Sequence, residues 1–448
     1  MVDDPLVDSH LAWLSAHLTP APLLVGYSGG LDSHVLLCWL ARFVARFPAF
    51  SLQAVHVHHG LNPLADAWAA HCQRVCAELG VPLIIERVAV TVARRESLEA
   101  RAREARYRAL AQHLPAGGYL LTAHHQDDQL ETLLLALKRG SGVRGLAAMP
   151  PRQPFAQGEL IRPLLDCARA SLQRWAEEQG LRWIEDDSNQ DERFDRNFLR
   201  AQILPRLQAR WPSFGETAGR SASLCAEQEA LAEELAAQDR ACGERPDGSL
   251  SIASLSALSI PRRHNLLRGW LRHHSGMAPE RGALLRIWPE VVGARVDAAP
   301  QLVTACGVIR RFDGGLYLLS EAPSSVSDVP SSVPESRLLS WPGSWVVGRH
   351  TLTLVRIDQG AQLRLPRDDE PVSLRFAVAG SLRAQPVGRT GSRPLKKLWQ
   401  EYRVAPWLRD EVPLLFYGET LVAAVGLFIC QAGVAEGEPG LQLRWEAF

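Results

Sequence analysis

The sequence predicts an α/β fold at its start, namely a doubly wound parallel sheet, followed by a small helical domain and a C-terminal α+β domain. Apolar, strand-like runs occur at 22–27, 52–58, 81–88 and 118–124, and each precedes a longer stretch with helical spacing. Strands that are apolar throughout and joined by helix-length crossovers indicate a parallel sheet covered on both faces. We expect its ligands at the carboxyl ends of these strands.

The later part of the chain is divided by shifts in composition. After a Pro-rich passage near residue 150, a helix at about 168–179, a strand at 181–186 and a helix through 196–207 complete the first domain. Ser and Pro are enriched from 320 to 337, which is typical of a linker. We therefore predict four segments: a catalytic domain at 1–212, a helical domain at 213–320, a linker at 321–337 and a C-terminal domain at 338–448.

Composition excludes several classes of protein. The 448 residues are 46% hydrophobic, which favours packed cores over disorder. The eight cysteines form no CxxC motif, so a disulfide framework or zinc knuckle is disfavoured. The start "MVDDPLVDSH" lacks the positive charge of a signal peptide, and no apolar run approaches the roughly 20 residues of a membrane span. We expect a cytoplasmic protein without membrane contact, either monomer or homodimer.

Two basic stretches stand out in a chain whose formal net charge is zero. Residues 259–296 contain seven arginines against two acids, and residues 374–410 contain six arginines and two lysines against two acids. Such stretches are typical of local binding surfaces for a polyanion. Alternatively, arginine is simply the cation that this chain prefers, and each stretch taken alone fits either interpretation.

The segment "PLLVGYSGGLDSHVLL" (22–37) places Ser28-Gly29-Gly30 between a buried strand and a helix. The glycines allow a tight bend, and the N–H groups at the helix start favour an anion. Asp32 would repel a phosphate unless a Mg²⁺ ion lies between them, and Ser33 could cap the helix or donate to a phosphate oxygen. The alternative is an ordinary turn in which Ser33 and Asp32 only cap the helix.

Three further motifs follow the strands. The histidines of "HVHHGL" (56–61) face the expected ligand edge, Arg103 and Arg106 lie one helical turn apart, and "HHQDDQLET" (124–132) carries acids in its first turns. Asp128 and Glu131 share a helix face and could hold an ammonium group, although Asp127 is an equally good partner for Glu131. Each motif also has a purely structural interpretation. The histidines could pack within the fold, the arginines could form a solvent-exposed helix face, and the acids could be favoured at a helix start by the helix dipole.

Ser-Gly-Gly-Leu-Asp-Ser after a first strand resembles the PP-loop of the N-type ATP pyrophosphatases. That family cleaves ATP between its α and β phosphates to activate a carbonyl oxygen as an adenylate. The resemblance answers why a carboxylate follows the glycines, because the loop would grip pyrophosphate through a metal ion.

Later motifs resemble the tRNA(Ile)-lysidine synthetases within this family. "HVHHGL", the Arg-x-x-Arg-Tyr run, "HHQDDQLET", "GSGVRGLAAM", "RPLL" and an ending in Arg-Asn-x-x-Arg occur in that order, and residues 388–429 resemble the C-terminal domain. The resemblance is dense over the first 205 or so residues and the last sixty. Ala405-Pro406-Trp407 departs from the two prolines common in the family.

The resemblance implies an ATP-dependent ligase that joins L-lysine to the wobble cytidine of the isoleucine tRNA with a CAU anticodon. ATP and Mg²⁺ would be its cofactors, with Asp32 on the metal. The implied catalytic residues are Asp32, Arg103 and Arg106. The implied ATP-binding residues are Ser28, Gly29, Gly30, Leu31, Asp32, Ser33 and His58. Lysine would bind Asp128 and Glu131, and the implied tRNA-binding residues are Arg196, Arg200, Arg393, Lys396, Lys397 and Arg409.

Two rival functions remain open at the level of sequence. Another PP-loop ligase or amidotransferase acting on a small molecule would need no basic C-terminal segment, and an amidotransferase would also need an ammonia source. A tRNA-binding protein with a vestigial loop would bind ATP without turnover, although the loop here retains Asp32.

Overall fold

The computed structural model describes residues 4–60, 62–89, 98–185, 191–295, 298–319, 336–347, 350–435 and 439–447. The chain divides into two compact units, residues 1–234 and 235–448. The predicted boundaries at 212, 320 and 337 stay predictions, and most of the predicted linker lies outside the described residues.

The first unit contains a six-stranded sheet in the order β3-β2-β1-β4-β6-β5. Its strands are β1 (Pro22–Gly26), β2 (Ser51–His58), β3 (Leu83–Arg87), β4 (Tyr119–Leu121), β5 (Arg152–Phe155) and β6 (Gly158–Ile161). Neighbouring strands are parallel except in the β5–β6 hairpin. The strand order reverses between β1 and β4, and this switch point is where ligands of such sheets bind. The predicted doubly wound fold is confirmed.

Helices pack on this sheet and bury its central strands β1, β2 and β4. They are α1 (Pro5–His17), α2 (Leu31–Arg46), α3 (Ala65–Glu78), α4 (Leu98–His113), α5 (Gln126–Lys138), α6 (Val143–Leu146), α7 (Arg169–Glu178), α8 (Asp195–Phe198), α9 (Leu204–Arg210) and α10 (Phe214–Gly243), which contributes residues to both units. Most side chains of α2 between Leu31 and Phe43 are buried, and the apolar ones share a core with residues of the sheet. This packing fixes the start of α2, where the glycine loop ends.

The strand predicted at 181–186 is wrong. Residues 181–185 form no strand, and residue 186 lies outside the described residues. The backbone N–H of Ile184 donates instead to the carbonyl of Gly29 at 2.9 Å. The apolar residues that resembled a strand therefore pack against the glycine loop.

The first half of the second unit contains the predicted helices and an additional sheet. The helices are α11 (Ile252–Ala257), α12 (Ile260–Ser275) and α13 (Arg281–Arg286), the last followed by a π-helix (Ile287–Val292). The sheet has the order β7-β10-β9-β8, with β7 (Leu250–Ser251), β8 (Gln301–Thr304), β9 (Gly307–Phe312) and β10 (Gly315–Leu319). Its antiparallel pairs depend partly on the distant strand β7, which local periodicity does not predict.

The remaining elements confirm a C-terminal α+β segment. Its strands are β11 (Ser336–Leu338), β12 (Gly343–Val347), β13 (His350–Ile357), β14 (Leu363–Arg364), β15 (Val372–Arg375), β16 (Arg383–Ala384), β17 (Arg393–Pro394), β18 (Leu414–Tyr417), β19 (Thr420–Ala424), β20 (Phe428–Ile429) and β21 (Gly440–Ala447). They form sheets in the orders β11-β15-β18-β19-β20, β12-β13-β21-β14 and β16-β17. Helix α14 (Leu395–Glu401) and 3-10 turns at Pro406–Glu411 and Gln431–Gly433 complete it.

Candidate active site and nucleic-acid surface

The loop between β1 and α2 has the geometry of a phosphate-binding turn. Gly29 has φ +85°, and a Cβ placed there would lie 2.4 Å from Ile184 Cδ1 and 2.9 Å from Cys72 Sγ. Glycine is therefore required both by the backbone conformation and by the lack of space. Since α2 begins at Leu31, its first N–H groups lie directly after this turn and favour an anion.

The serine side chains of the loop hold its shape. Ser28 Oγ and Ser33 Oγ are 2.9 Å apart, and Ser33 Oγ donates to the carbonyl of Gly30 at 3.0 Å. The backbone N–H of Ser28 donates to Ser33 Oγ at 3.2 Å. The two hydroxyl groups thus connect the end of the strand to the first turn of the helix, and they lie in the turn that would receive phosphate oxygens.

Asp32 has charged neighbours on both sides. Its Oδ2 is 3.6 Å from His125 Nε2, and its Oδ1 is 3.7 Å from Arg169 Nε. Burial opposes ionisation of this carboxyl, but His125 and Arg169 together hold its pKa below the usual range. Oδ1 is buried and accepts no hydrogen bond from the described residues. An ionised carboxylate with an oxygen that accepts no hydrogen bond from the described residues fits a hard cation such as Mg²⁺.

A pair of carboxylates lies at the start of α5 and shares one arginine. Arg200 Nη2 is 3.0 Å from Asp128 Oδ1, and Arg200 Nε donates to Glu131 Oε1 at 2.8 Å. Glu131 is 1% exposed, and burial raises its pKa although Arg200 opposes the shift. Its Oε2 is buried and has no hydrogen-bond partner among the described residues. This oxygen is available to a second donor.

Arg200 reaches the carboxylate pair from an unusual helical turn. It lies in a π-helix (Leu199–Ile203) between α8 and α9, and π-turns within helices occur frequently at functional sites. The sequence assigned Arg200 to the tRNA and the two acids to lysine, whereas the structure brings all three together. Asp128, not Asp127, shares this arginine with Glu131.

His125 connects the two acidic sites. Its Nε2 lies 3.4 Å from Asp128 Oδ2, in addition to its contact with Asp32, and its backbone N–H donates to Asp128 Oδ2 at 3.1 Å. The side chain is 1% exposed. Burial disfavours its charge, yet Asp32 and Asp128 hold the pKa of His125 above its ordinary value. The glycine loop and the acid pair therefore belong to one electrostatic network.

Arginines line another side of this cleft. The guanidinium carbons of Arg103 and Arg106 lie 5.0 and 5.6 Å from the ring centroid of Tyr107 on α4. Burial lowers the pKa of Arg106, and Arg103 and Arg196 act in the same direction. Arg106 is therefore repelled by both Arg103 and Arg196, and an anion would relieve that repulsion.

The histidines that follow β2 are engaged differently. His56 Nδ1 lies 3.0 Å from the carbonyl of Tyr27, while His58 Nε2 lies 3.2 Å from Asp66 Oδ1 and 3.4 Å from Arg87 Nη1. His58 is 7% exposed. Its ring nitrogen therefore faces protein groups, and its contact with ATP stays a prediction.

The two basic stretches differ in how their arginines are used. In the first stretch, Arg262 Nη2 is 2.6 Å from Asp239 Oδ1, and the Arg263 guanidinium carbon lies 3.5 Å from the Trp288 ring centroid. Arg286 Nε lies 2.6 Å from Glu290 Oε1. These arginines stabilise the second unit, which supports the alternative reading of that stretch.

In the second stretch, α14 presents two exposed lysines. Leu395, Leu398 and Trp399 anchor the helix in a core, which leaves Lys396 and Lys397 exposed. By contrast, Arg393 Nη1 is 2.6 Å from Glu401 Oε1, and Arg409 Nε donates to the carbonyl of Val404 at 3.3 Å. Trp399 is 4% exposed and therefore belongs to the core.

Sequence reasoning missed several residues of the cleft. His125 was within the quoted motif, but only its acids were assigned a role, although it directly precedes α5 as its N-cap. Arg169 and Ile184 are distant from the loop in sequence, so no local pattern predicts their contacts with Asp32 and Gly29. Only the tertiary fold brings them there.

Comparison with known proteins covers most of the chain. A family model described as the PP-loop domain matches residues 5–207, one described as the TilS substrate binding domain matches 250–317, and one described as the TilS substrate C-terminal domain matches 372–445. The tRNA(Ile)-lysidine synthase of Escherichia coli O157:H7 is 49% identical over 96% of this chain and 97% of its own length. The chain belongs to the tRNA(Ile)-lysidine synthase family.

A second curated relative agrees with this membership. The tRNA(Ile)-lysidine synthase of Enterobacter sp. (strain 638) is 48% identical over 95% of this chain and 96% of its own length. Among solved structures, the U34-tRNA thiolase NcsA of Methanococcus maripaludis is 17% identical with a TM-score of 0.42, covering 50% of this chain and 79% of that chain.

In the described part of this chain, no helix combines the length and apolarity that crossing a membrane requires.

Substitution of Gly29 by alanine tests the loop geometry. We expect Gly29→Ala to lower ATP-dependent turnover by more than about 100-fold, because the new Cβ would displace Ile184 and Cys72 and reshape the turn. AMP release under saturating ATP measures the effect.

Gly80→Ala is the matched control, because Gly80 has φ +67° but no atom within 4 Å of an added Cβ. It carries the backbone strain of roughly 1–2 kcal/mol without the collision. Equal losses of turnover in the two variants would contradict the steric argument.

Proposed function

We propose that this chain ligates L-lysine to C2 of the wobble cytidine in the isoleucine tRNA with a CAU anticodon. ATP would be split to AMP and pyrophosphate, and the product, lysidine, pairs with A instead of G, which changes the identity of the tRNA from Met to Ile. One observation carries the proposal in a chain of this family: His125 contacts both the loop carboxylate Asp32 and the acid-pair member Asp128. A phosphate site and an ammonium site thus share one cleft. The reaction would take place in the cytoplasm.

ATP would bind with its phosphates on the loop from Ser28 to Ser33, where the N–H groups and the serine hydroxyls lie. Asp32 Oδ1, which accepts no hydrogen bond from the described residues, fits Mg²⁺. Since no group of three or more candidate metal ligands occurs among those residues, phosphate oxygens and water would complete the shell of the ion. Mg²⁺ bound there would neutralise phosphate charge and favour departure of pyrophosphate.

Lysine would bind through an amino group at Glu131 and Asp128. Glu131 Oε2 lacks a partner, and a buried carboxylate with an empty acceptor position is a strong site for an ammonium N–H. Arg200 occupies the other side of the pair, so lysine would share these acids with it or displace it. Burial raises the pKa of Glu131, which makes this carboxylate a better acceptor for the proton that the amine must lose.

The chemistry then takes two balanced steps. Cytidine O2 attacks the α-phosphorus of ATP, and the bond to pyrophosphate breaks. The deprotonated lysine amine next attacks C2, the C2–O2 bond breaks, and AMP leaves with that oxygen. Arg103 and Arg106 would stabilise the negative charge of the adenylate phosphate, because guanidinium groups bind phosphate through two parallel hydrogen bonds.

Selection of one tRNA requires contacts outside the catalytic pocket, because many tRNAs carry accessible cytidines. Phosphate contacts position a nucleic acid, whereas unpaired bases are read by hydrogen bonds and stacking. We assign Arg196 and Arg200 to the region of the anticodon loop and Lys396, Lys397, Arg393 and Arg409 to tRNA backbone contacts. The exposed lysines of α14 are the strongest of these candidates, since Arg393 is engaged by Glu401.

The function is tested with ATP, Mg²⁺, lysine and unmodified transcripts of the CAU isoleucine tRNA and the methionine tRNA of the same anticodon. We expect AMP release and a cytidine heavier by one lysine minus water, both with the isoleucine tRNA alone. AMP release without the adduct would make lysine the wrong nucleophile. Folded protein that binds ATP but releases no AMP with either tRNA would favour a binding protein.

Replacing Glu131 by glutamine tests the ammonium site. We expect Glu131→Gln to raise the KM for lysine roughly 10- to 100-fold, because a charge-assisted hydrogen bond becomes a neutral one. The KM for ATP should change less than about twofold. Steady-state kinetics with each substrate varied in turn provides the measurement.

Glu177→Gln serves as the control, because Glu177 is an exposed residue of α7 that pairs only locally with Gln173. An unchanged KM for lysine in Glu131→Gln would remove this residue from the ammonium site.

Charge reversal on α14 tests the tRNA surface. We expect Lys396→Glu combined with Lys397→Glu to raise the KM for tRNA at least about tenfold and to leave ATP binding intact, since repulsion replaces two backbone contacts. The increase should shrink as salt rises, because screening weakens exposed charge interactions.

Arg286→Gln is the matched control in the other basic stretch, where Arg286 pairs with Glu290. If it weakened tRNA binding as much as the double lysine variant, the division between structural and tRNA-contacting cations would be wrong.

A further inference from the structure

Arg162 is a buried cation with no acidic partner in the described part of the chain. It follows β6 at the carboxyl edge of the sheet and is 5% exposed. Its Nη1 donates to the carbonyl of Pro150 at 2.6 Å and lies 3.5 Å from Gln153 Oε1, whereas its buried Nε has no hydrogen-bond partner among the described residues. Neutral acceptors alone compensate a buried guanidinium poorly.

The neighbours of Arg162 increase this positive charge. Burial lowers the pKa of Arg162, and Arg103 acts in the same direction, while Tyr107 opposes the shift. The Tyr107 ring in turn carries Arg103 and Arg106 within 5.0 and 5.6 Å of its centroid. The Tyr107 hydroxyl is also buried, and apart from its approach to the Arg162 guanidinium it has no hydrogen-bond partner in the described residues. Arg162 therefore lies beside the Tyr107 hydroxyl, and the guanidinium groups of Arg103 and Arg106 lie over the ring of the same tyrosine.

Nearby groups do not neutralise this cluster. Asp128 is the acid that acts on Arg106, and its Oδ1 already pairs with Arg200 at 3.0 Å. Burial lowers the pKa of His124 to about 3 and also lowers that of His59, so both rings are neutral near pH 7 and can only add hydrogen bonds. Among the described residues, the cluster therefore carries more positive than negative charge, and a bound anion would balance it.

We propose that Arg162 and the Tyr107 hydroxyl, together with Arg103 and Arg106, form a second phosphate site, separate from the loop at Ser28–Ser33. The bound group is a phosphate, supplied either by ATP or by the tRNA backbone beside the wobble cytidine. Arg162 contributes the buried end of this site, where its Nε and the Tyr107 hydroxyl donate to phosphate oxygens. The proposal deepens the proposed function and rests on it for the identity of these substrates.

The test compares Arg162→Gln, Arg162→Lys and Tyr107→Phe with the parent chain by equilibrium binding. Filter binding of the CAU isoleucine tRNA transcript and titration with a non-hydrolysable ATP analogue both work without turnover. A failure of this site is therefore distinguishable from a failure of the proposed ligase activity. Arg152→Gln is the control, because Arg152 lies on the same hairpin but is exposed and pairs with Glu159.

A tRNA phosphate in the site predicts that Arg162→Gln weakens tRNA binding about 10- to 100-fold and leaves ATP binding unchanged. The slope of log binding constant against log salt should also fall by about one phosphate contact, which a purely structural role would not change. An ATP phosphate predicts the reverse pattern, with weaker analogue binding and unchanged tRNA binding. Tyr107→Phe should show the same selectivity at about 3- to 10-fold, and Arg162→Lys should recover part of the loss.

Unchanged binding of both substrates by folded Arg162→Gln would overturn the proposal. If that variant fails to fold, unchanged binding by both Tyr107→Phe and Arg162→Lys overturns it equally. A loss in Arg152→Gln as large as in Arg162→Gln would also overturn it, since general stability of the hairpin would then explain the effect.

Discussion

The contact of His125 with two carboxylates is the constraint on which the cleft depends. Its Nε2 lies 3.6 Å from Asp32 Oδ2 and 3.4 Å from Asp128 Oδ2, and the residue is the N-cap of α5. Because the side chain is buried, its position relative to both acids is fixed by the packing of the sheet rather than by solvent-exposed rotamers. These contacts fix the distance between the glycine loop, which follows β1, and the acid pair on α5. The two groups lie on either side of the switch point between β1 and β4.

Charge is distributed unevenly around this constraint. On the side of α5, three acids are matched by His125, Arg169 and Arg200, and each of Asp32 and Glu131 keeps one buried oxygen without a hydrogen-bond partner among the described residues. On the side of α4, guanidinium groups lie over Tyr107, and no ion pair of Arg103 or Arg106 with an acid occurs among the described residues. The first side suits cations such as Mg²⁺ and an ammonium group, and the second suits phosphate. A reaction between ATP, lysine and a nucleotide needs both environments next to each other.

The sequence predicted the parts of this arrangement that local patterns encode. The apolar strands, the Ser-Gly-Gly turn and the acids of α5 each follow from spacing within a short segment. Three contacts join segments that are far apart in the chain, and no periodicity predicts them. They are Arg169 with Asp32, Arg200 with Glu131 and Ile184 with Gly29. The strand wrongly predicted at 181–186 has the same origin, because an apolar run that packs on a loop looks like one that pairs in a sheet. The count of arginines was equally uninformative, since Arg262, Arg263 and Arg286 are engaged by Asp239, Trp288 and Glu290 within the second unit.

The central claim is that Glu131 and Asp128 form the lysine site beside the phosphate loop, and a crystal structure with lysine and a non-hydrolysable ATP analogue tests it most directly. Arg200 Nε lies 2.8 Å from Glu131 Oε1, which leaves Glu131 Oε2 for a second donor. The account predicts a lysine amino nitrogen within hydrogen-bond distance of Glu131 Oε2, with the phosphates of the analogue on the loop from Ser28 to Ser33. Lysine bound elsewhere, with Glu131 Oε2 still unpartnered, would contradict it.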